Sequence, residues 1–445
     1  LDAGITPFST KKYFTDKEFF NNNFPSDYVC EMVEQVKLWF FFTLVMSVTL
    51  VGKAPYKKVV TYQYVRDENG NEFHKSGGNS LDCDVVADKT SADAIRYLYA
   101  SANPTLDMRF GYSLTDEVNR KLLGFWNIYT FFNTYAVLDN PDIASYNPDI
   151  QKMQTIDRWL LTRKNEFINN SIDNYNKNTY YNIVKDFETL VDDISNFYIR
   201  VNRKRFWKSN STDQMDAYFT LYHTLKATLK TMAPIIPFMT DYIWTNLVCE
   251  IEKDEAKSVH LTNFDAPNQP VDKELIDMVS KSREIIYLAQ KLRNENQIKV
   301  KQPLSKMFLK CDESYKKAVE TLKQIILDEL NIKQIEYVTD DNRFNTSTLA
   351  VDFRKAGQVL KNRVNELKSA LTNLSSEEME KAVAQFDKNE QVEIAGFDPL
   401  DPTLFEKKLS PKKEFAVATM NNTLVALDIN LTQDLIDEGN LREII

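Results

Sequence analysis

The chain has 445 residues, 43% of them hydrophobic and 27% charged, a composition typical of a soluble globular protein of about two to four domains. Its 55 lysines and arginines against 64 aspartates and glutamates give a net charge of −9. This charge excludes nucleic-acid binding through overall positive charge but not through a local basic face. With 10 glycines and 14 prolines, collagen-like and low-complexity chains are excluded as well.

Potential metal ligands are scattered along the sequence. The four cysteines and three histidines form no group with metal-ligand spacing, so we predict no structural metal in this segment. Four dispersed cysteines also make no disulfide framework, which favours a reducing, cytoplasmic location. The chain starts at Leu1 rather than at a methionine and ends within a helical pattern, so we expect it to be a fragment of a longer protein.

Residues 1–112 mix short apolar runs with loops and are predicted to be α/β. The apolar run at 38–51 has 14 residues, fewer than the roughly 20 of a membrane span. We therefore predict a buried core helix there and no membrane contact. Residues 57–64 are rich in β-branched and aromatic side chains and predict a strand. Thr90 is predicted to cap a helix over 91–100.

The loop at residues 72–79 reads EFHKSGGN and has residues that suit a phosphate group. The ammonium of Lys75 supplies charge, Ser76 a hydroxyl, and the two following glycines let the backbone approach closely. A plain turn has the same composition, so both interpretations stay open at this point.

Residues 113–300 change to a pattern of long helices. Six stretches between residues 114 and 295 carry apolar side chains at the helical period of about 3.6, each in a stripe wide enough for a bundle core. We therefore predict a helical bundle in this part of the chain.

One of these helices ends in a basic and aromatic segment. Arg200, Arg203 and Lys204 fall at i, i+3 and i+4 and so share a helix face. Cations interleaved with aromatic rings suit backbone phosphates and unpaired bases, whereas cations at a helix end also simply favour the helix dipole. The candidate RNA-binding residues are Arg200, Arg203, Lys204, Arg205, Trp207 and Lys208.

Residues 301–445 alternate short strands and helices and predict a small α+β domain. Strands are predicted at 307–311 and 332–338. A hairpin at 415–427 turns at Asn421-Asn422, because asparagine tolerates positive φ. The fold class predicted for the whole chain is mainly α with α/β.

A series of short motifs follows in a fixed order. They are LDAGITPFS at 1–9, EMVEQVKLWF at 31–40, ADAIR at 92–96, WNIY at 126–129, IDRWL at 156–160, FYIR at 197–200, APIIPF at 233–238, IKVKQPL at 298–304 and LTQDLIDEG at 431–439. Over essentially the whole chain this series resembles the isoleucyl-tRNA synthetases, which are class I aminoacyl-tRNA synthetases.

The resemblance implies three domains. Residues 1–112 would be the C-terminal half of a Rossmann catalytic domain with the ATP loop. Residues 113–300 would be a helical anticodon-binding domain, and 301–445 a small α+β C-terminal domain. The family's His-Ile-Gly-His motif and editing domain would precede Leu1.

The resemblance also implies a nucleotide site with several departures from the family pattern. Lys75 and Ser76 match the end of the mobile Lys-Met-Ser-Lys-Ser loop and are the candidate catalytic residues, but Glu72, Phe73 and His74 replace its start. The candidate nucleotide-binding residues are Glu34, Gln35, Trp39 and Lys75. Near them, Met32 replaces a glycine that would let the backbone approach the ribose.

The implied function is that of an isoleucine–tRNA ligase. Such an enzyme activates isoleucine with ATP and Mg²⁺ and transfers it to tRNA(Ile), and we expect a cytoplasmic monomer. This segment would supply the ATP loop and anticodon recognition, and would be inactive alone. The departures leave open a paralogue that binds tRNA without ligation, and a helical scaffold without an RNA partner is a third possibility.

Overall fold

The computed structural model describes residues 2–207, 211–264, 266–340 and 343–444. The chain forms two compact units, Leu1–Asp272 and Lys273–Ile445. The first unit contains α1 (Thr6–Thr10), α2 (Lys17–Asn23), β1 (Ser26–Met32), α3 (Trp39–Val51), β2 (Tyr56–Tyr62), β3 (Val65–Arg66), α4 (Cys83–Lys89), α5 (Ala92–Ser101), β4 (Met108–Arg109), α6 (Tyr112–Asp139), α7 (Thr155–Lys177), α8 (Tyr180–Asp192), α9 (Arg200–Asn202), α10 (Thr212–Met232), α11 (Pro237–Ile243) and α12 (Cys249–Ile251).

The start of the first unit is α/β, as predicted. Strands β1 and β2 pair in parallel, with Ser26 opposite Tyr56 and Met32 opposite Tyr62, and α3 forms the crossover that such a pair requires. The predicted strand is β2, and the predicted helix at 91–100 is α5. Its cap is Ser91 rather than Thr90, because the Ser91 hydroxyl accepts the N–H of Ala94 at 3.0 Å.

The prediction of a buried core helix at 38–51 is wrong. In α3 only Phe40, Thr43 and Ser47 are buried, while Phe41 and Val48 are each 51% exposed. Residues 33–51 are long and apolar enough to cross a membrane by length and composition alone, with a mean hydropathy of 1.4 and 17% of that stretch buried. An apolar sequence on every side of a helix does not distinguish a buried face from an exposed one.

The rest of the first unit is the predicted helical bundle. Its core is built from the apolar stripes of α6, α7, α8 and α10, and side chains such as Phe125, Leu160, Phe187 and Leu225 are 0–1% exposed. Two π-helical stretches, Asp193–Ile199 and Trp244–Val248, extend α8 and α11, and a 3₁₀ turn over Arg203–Trp207 follows α9. The change from α to π geometry displaces the side chains that follow it from the faces that a regular helix would give them.

The second unit is α+β. It contains α13 (Lys273–Glu295), β5 (Leu304–Lys310), α14 (Glu313–Thr321), α15 (Lys323–Leu330), β6 (Ile332–Tyr337), β7 (Asn345–Val351), α16 (Phe353–Leu360), α17 (Val364–Thr372), α18 (Ser376–Asp387), β8 (Phe405–Pro411), β9 (Phe415–Met420), β10 (Thr423–Asp428) and α19 (Gln433–Ile444). One sheet has the order β6-β5-β10-β9, and β7 pairs with β8 in another. The hairpin turn at Asn421 (φ 48°) and Asn422 (φ 63°) is confirmed.

The boundary between the units differs from the predicted domain boundary at residue 300. Helix α13, which we assigned to the bundle, belongs to the second unit, where the Ser282 hydroxyl donates to the carbonyl of Ala318 in α14. The apolar stripe of α13 does not show which core it faces, so spacing alone could not reveal this. The division into three domains stays a prediction.

Candidate functional site

The predicted nucleotide segments follow the carboxyl ends of β1 and β2. Glu34 and Gln35 lie in the 3₁₀ turn Val33–Val36 that follows β1, and Tyr64 comes shortly after β2. Because the two strands are parallel, these ends lie at the same edge of the sheet, where α/β folds bind ligands. The hydroxyl of Tyr64 donates to the carboxylate of Glu34 at 3.1 Å, and this hydrogen bond raises the pKa of Tyr64.

Gln35 and Trp39 also have a structural task. The side-chain oxygen of Gln35 accepts the backbone N–H of Trp39, the first residue of α3, at 3.1 Å and so satisfies a donor that has no partner within the helix. The indole of Trp39 donates to the carbonyl of Ala3 at 2.9 Å. Both residues therefore hold the strand-to-helix turn in place, with Glu34 exposed beside them.

The Lys75 loop is closed by Asn79. The amide group of Asn79 donates to the carbonyl of Glu72 at 2.9 Å, and its oxygen accepts the N–H of His74 at 3.0 Å. Lys75 then begins a short 3₁₀ turn, Lys75–Gly77, which is followed by Gly78, whose φ of +74° favours glycine. Lys75 and Ser76 are both exposed, so a phosphate group could reach them from solvent.

Glu72, which stands where the family has a lysine, has partners within the chain. Its carboxylate lies 3.4 Å from Nη1 of Arg66 and 3.2 Å from Nε2 of His74. Arg66 is also paired with Asp107. The negative charge of Glu72 is thus partly balanced by Arg66.

The predicted RNA-binding residues separate into an exposed and a buried group. Arg200, Arg203, Lys204 and Trp207 are exposed, and we refer to these four as the basic turn. Trp207 is 59% exposed, and its indole donates to the hydroxyl of Tyr135 at 3.0 Å. The guanidinium of Arg203 lies 5.9 Å from the centre of the Trp207 ring. Lys208 lies outside the described residues.

Arg205, a candidate tRNA-binding residue, is buried in the structure. Its side chain is 7% exposed, and its guanidinium donates to both carboxylate oxygens of Asp157, at 2.9 and 2.8 Å. The spacing already contained this signal, because position 205 does not share the helix face of Arg200, Arg203 and Lys204. The sequence did not indicate Tyr135, because its hydrogen bond with Trp207 joins residues that are far apart along the chain.

The described residues include no group of three or more histidine, cysteine, aspartate or glutamate side chains arranged to hold a metal ion. The site thus offers an exposed lysine loop beside a strand edge and, in the bundle, a separate exposed surface of cations with one large aromatic ring. The first suits a phosphate-bearing small molecule, and the second suits single-stranded nucleic acid.

Comparison with known proteins gives one family match for each of the two segments that hold these residues. Residues 1–111 match the family of class I tRNA synthetases for I, L, M and V, and residues 157–308 match the anticodon-binding domain of tRNA ligases. In these two segments the chain is therefore similar to the class I tRNA synthetases and to the anticodon-binding domain of tRNA ligases. Helix α3 accordingly lies within the segment that matches a synthetase catalytic domain.

Within that class, the chain is homologous to isoleucine–tRNA ligases along its whole length. It is 33% identical to that of Cytophaga hutchinsonii, covering all of this chain and 41% of the relative. It is 32% identical to isoleucine–tRNA ligase 2 of Bacillus cereus and 31% identical to the enzyme of Clostridium kluyveri, covering all of this chain and 43% of each. The chain thus spans less than half of these relatives, and the resemblance and fold class expected from the motifs are confirmed.

Proposed function

We propose that this chain is the part of an isoleucine–tRNA ligase that carries the ATP loop and the anticodon-binding domain. The whole protein would activate isoleucine with ATP and transfer it to tRNA(Ile), as a monomer in the cytoplasm. The names of the relatives support this function along the entire chain and do not favour the paralogue that only binds tRNA.

The nucleotide site supports adenylate formation through positioning and charge rather than through a protein nucleophile. Lys75 would neutralise phosphate charge, Ser76 would donate a hydrogen bond, and Glu34 and Gln35 would hold the ribose. Mg²⁺ would arrive with the phosphates, because this ion is bound mainly through substrate phosphates and water in such sites. The exposed lysine and hydroxyl fit a triphosphate, while Glu72 opposes it.

The observation that carries the proposal is the position of the basic turn within the segment that matches an anticodon-binding domain. Its three cations are exposed, and the Trp207 ring can stack on an unpaired base. If Arg200, Arg203 and Lys204 each contact one phosphate, the log–log salt slope of tRNA binding should be roughly −2 to −3.

A tRNA-binding titration tests the proposal. Fluorescence anisotropy with a labelled tRNA transcript bearing an isoleucine anticodon should give this slope for the parent chain. Replacing Arg203 and Lys204 by alanine should flatten the slope by about 1.5, which is the contribution of two phosphate contacts.

The matched control is Lys253→Ala. Lys253 is an exposed lysine that follows α12 and pairs with Glu250 at 2.8 Å. The Lys253→Ala variant should bind tRNA as the parent does. A double variant that remains folded and keeps the parent's affinity and slope would contradict the proposed RNA surface, and a flat salt response in the parent would favour a scaffold without an RNA partner.

A further inference from the structure

A buried ion pair lies directly beneath the basic turn. Asp157, in the first turn of α7, is fully buried, and both of its oxygens accept hydrogen bonds from Arg205. The hydroxyl of Tyr198 donates to the same carboxylate. Asp157 thus has donors on both oxygens and no exposure to solvent.

Arg205 connects three parts of the bundle. Besides Asp157 in α7, its guanidinium donates to the side-chain oxygen of Asn202 at 2.9 Å and to the backbone carbonyl of Asp213, in the first turn of α10, at 2.8 Å. These contacts fix the position of a segment that has no regular helix of its own. Between residues 193 and 207 the backbone passes from π to α to 3₁₀ geometry.

Some side chains of this segment face the interior and others face solvent. Arg205 and Phe206 are buried, the latter with its ring 5.1 Å from those of Phe131 and Tyr218. Arg203 and Trp207 on either side are exposed. With Arg205 and Phe206 held in the interior, this turn of the backbone places the side chains of Arg203 and Trp207 in solvent.

We propose that Asp157 and Arg205 are positioning residues for tRNA binding: they hold the basic turn in its RNA-binding conformation without touching RNA. This inference rests on the proposed function. Removing one partner of a buried ion pair is strongly destabilising because the other charge is left uncompensated, so the test variant keeps a positive charge at position 205. A bidentate arginine is also not replaceable by lysine, which keeps the charge but offers one point of contact.

Arg205→Lys tests the proposal. In the anisotropy titration it should weaken tRNA binding by about tenfold or more and flatten the salt slope, because the cations and Trp207 no longer share one arrangement. The matched control is Arg163→Lys. Arg163 is 5% exposed and its guanidinium is paired with Asp186 in α8 as well as with Glu166 and Asp193, so this change perturbs a buried ion-pair cluster in the same bundle.

Arg163→Lys should lower the melting temperature about as much as Arg205→Lys does. It should leave tRNA affinity within about twofold of the parent. Parent-like affinity and slope in Arg205→Lys, or equal weakening in Arg163→Lys, would overturn the positioning role.

If Arg205→Lys does not fold, Asp157→Asn is measured in the same way, and failure of both to fold would show that the pair serves the whole bundle. Arg203→Ala separates the two proposals: if it weakens binding while Arg205→Lys does not, only the positioning role fails.

Discussion

His223 should make the stability of the bundle depend on pH. Its ring lies on α10, 4.2 Å from the ring of Phe219, and burial lowers the pKa of its imidazole to about 4, with Lys164 acting in the same direction. In the unfolded chain the imidazole binds a proton near pH 6.5, but in the folded protein only near pH 4. Between these values the unfolded state holds more protons, so the free energy of unfolding falls as the pH is lowered.

The size of this effect follows from the two pKa values. Between pH 7.5 and pH 5.5, the difference should remove about 1.3 kcal/mol from the free energy of unfolding. Both conditions lie above the isoelectric point of about 5.2, so the chain keeps its negative charge throughout. His223→Gln keeps a polar side chain of similar reach but does not titrate, so this contribution should disappear.

Urea unfolding followed by tryptophan fluorescence measures the effect in the relevant unit, because all five tryptophans lie between positions 39 and 244. The parent should lose more stability than His223→Gln on going from pH 7.5 to pH 5.5. Other titrating groups occur in both proteins and cancel in the comparison. Equal losses in parent and variant would show that the folded protein does not exclude the protonated imidazole.

Two further predictions concern the candidate sites. Trp207→Ala should weaken tRNA binding by about 1–3 kcal/mol with little change in salt slope, because stacking releases few counterions. A lowered melting temperature with unchanged binding would instead make the ring structural. In the full-length protein, Glu72→Lys should accelerate isoleucine-dependent ATP–pyrophosphate exchange, because it removes a negative charge near Lys75 and adds a positive one. Glu72→Gln, which only removes charge, should accelerate it less, and an unchanged or lower rate for Glu72→Lys would refute the assigned role of the loop.

The helical bundle could be predicted because its apolar side chains recur at the helical period. In α8, for example, Ile183, Val184 and Phe187 recur at helical spacing, and each is 1% exposed. The prediction of a buried helix at 38–51 failed because hydrophobicity there does not indicate which face is covered. Apolar side chains surround most of α3, but its buried face holds Thr43 and Ser47, so hydrophobicity does not show which side is covered.

The candidate nucleotide site could be predicted only in part. The strand before the loop and the glycines within it are local signals, and the structure has the loop at the expected position. The pairing of Glu72 with Arg66 depends instead on how the chain turns at Asp67 and Gly70, where the N–H of Gly70 donates to the carbonyl of Asp67 at 3.0 Å. A substitution that reverses a charge can therefore have a local partner that sequence comparison does not reveal.

The burial of Arg205 lowers the number of phosphate contacts that we expect the bundle to make. The sequence has five cations between residues 200 and 208, and a count of them would predict a salt slope steeper than the described structure supports. Arg205 is already bonded to Asp157, so its charge is compensated inside the protein and its donors are not available to RNA. Each cation held by a buried carboxylate should therefore be subtracted from the slope, while its loss should still weaken binding through the position of its neighbours. The slope thus reports direct contacts, and the affinity reports direct contacts and positioning together.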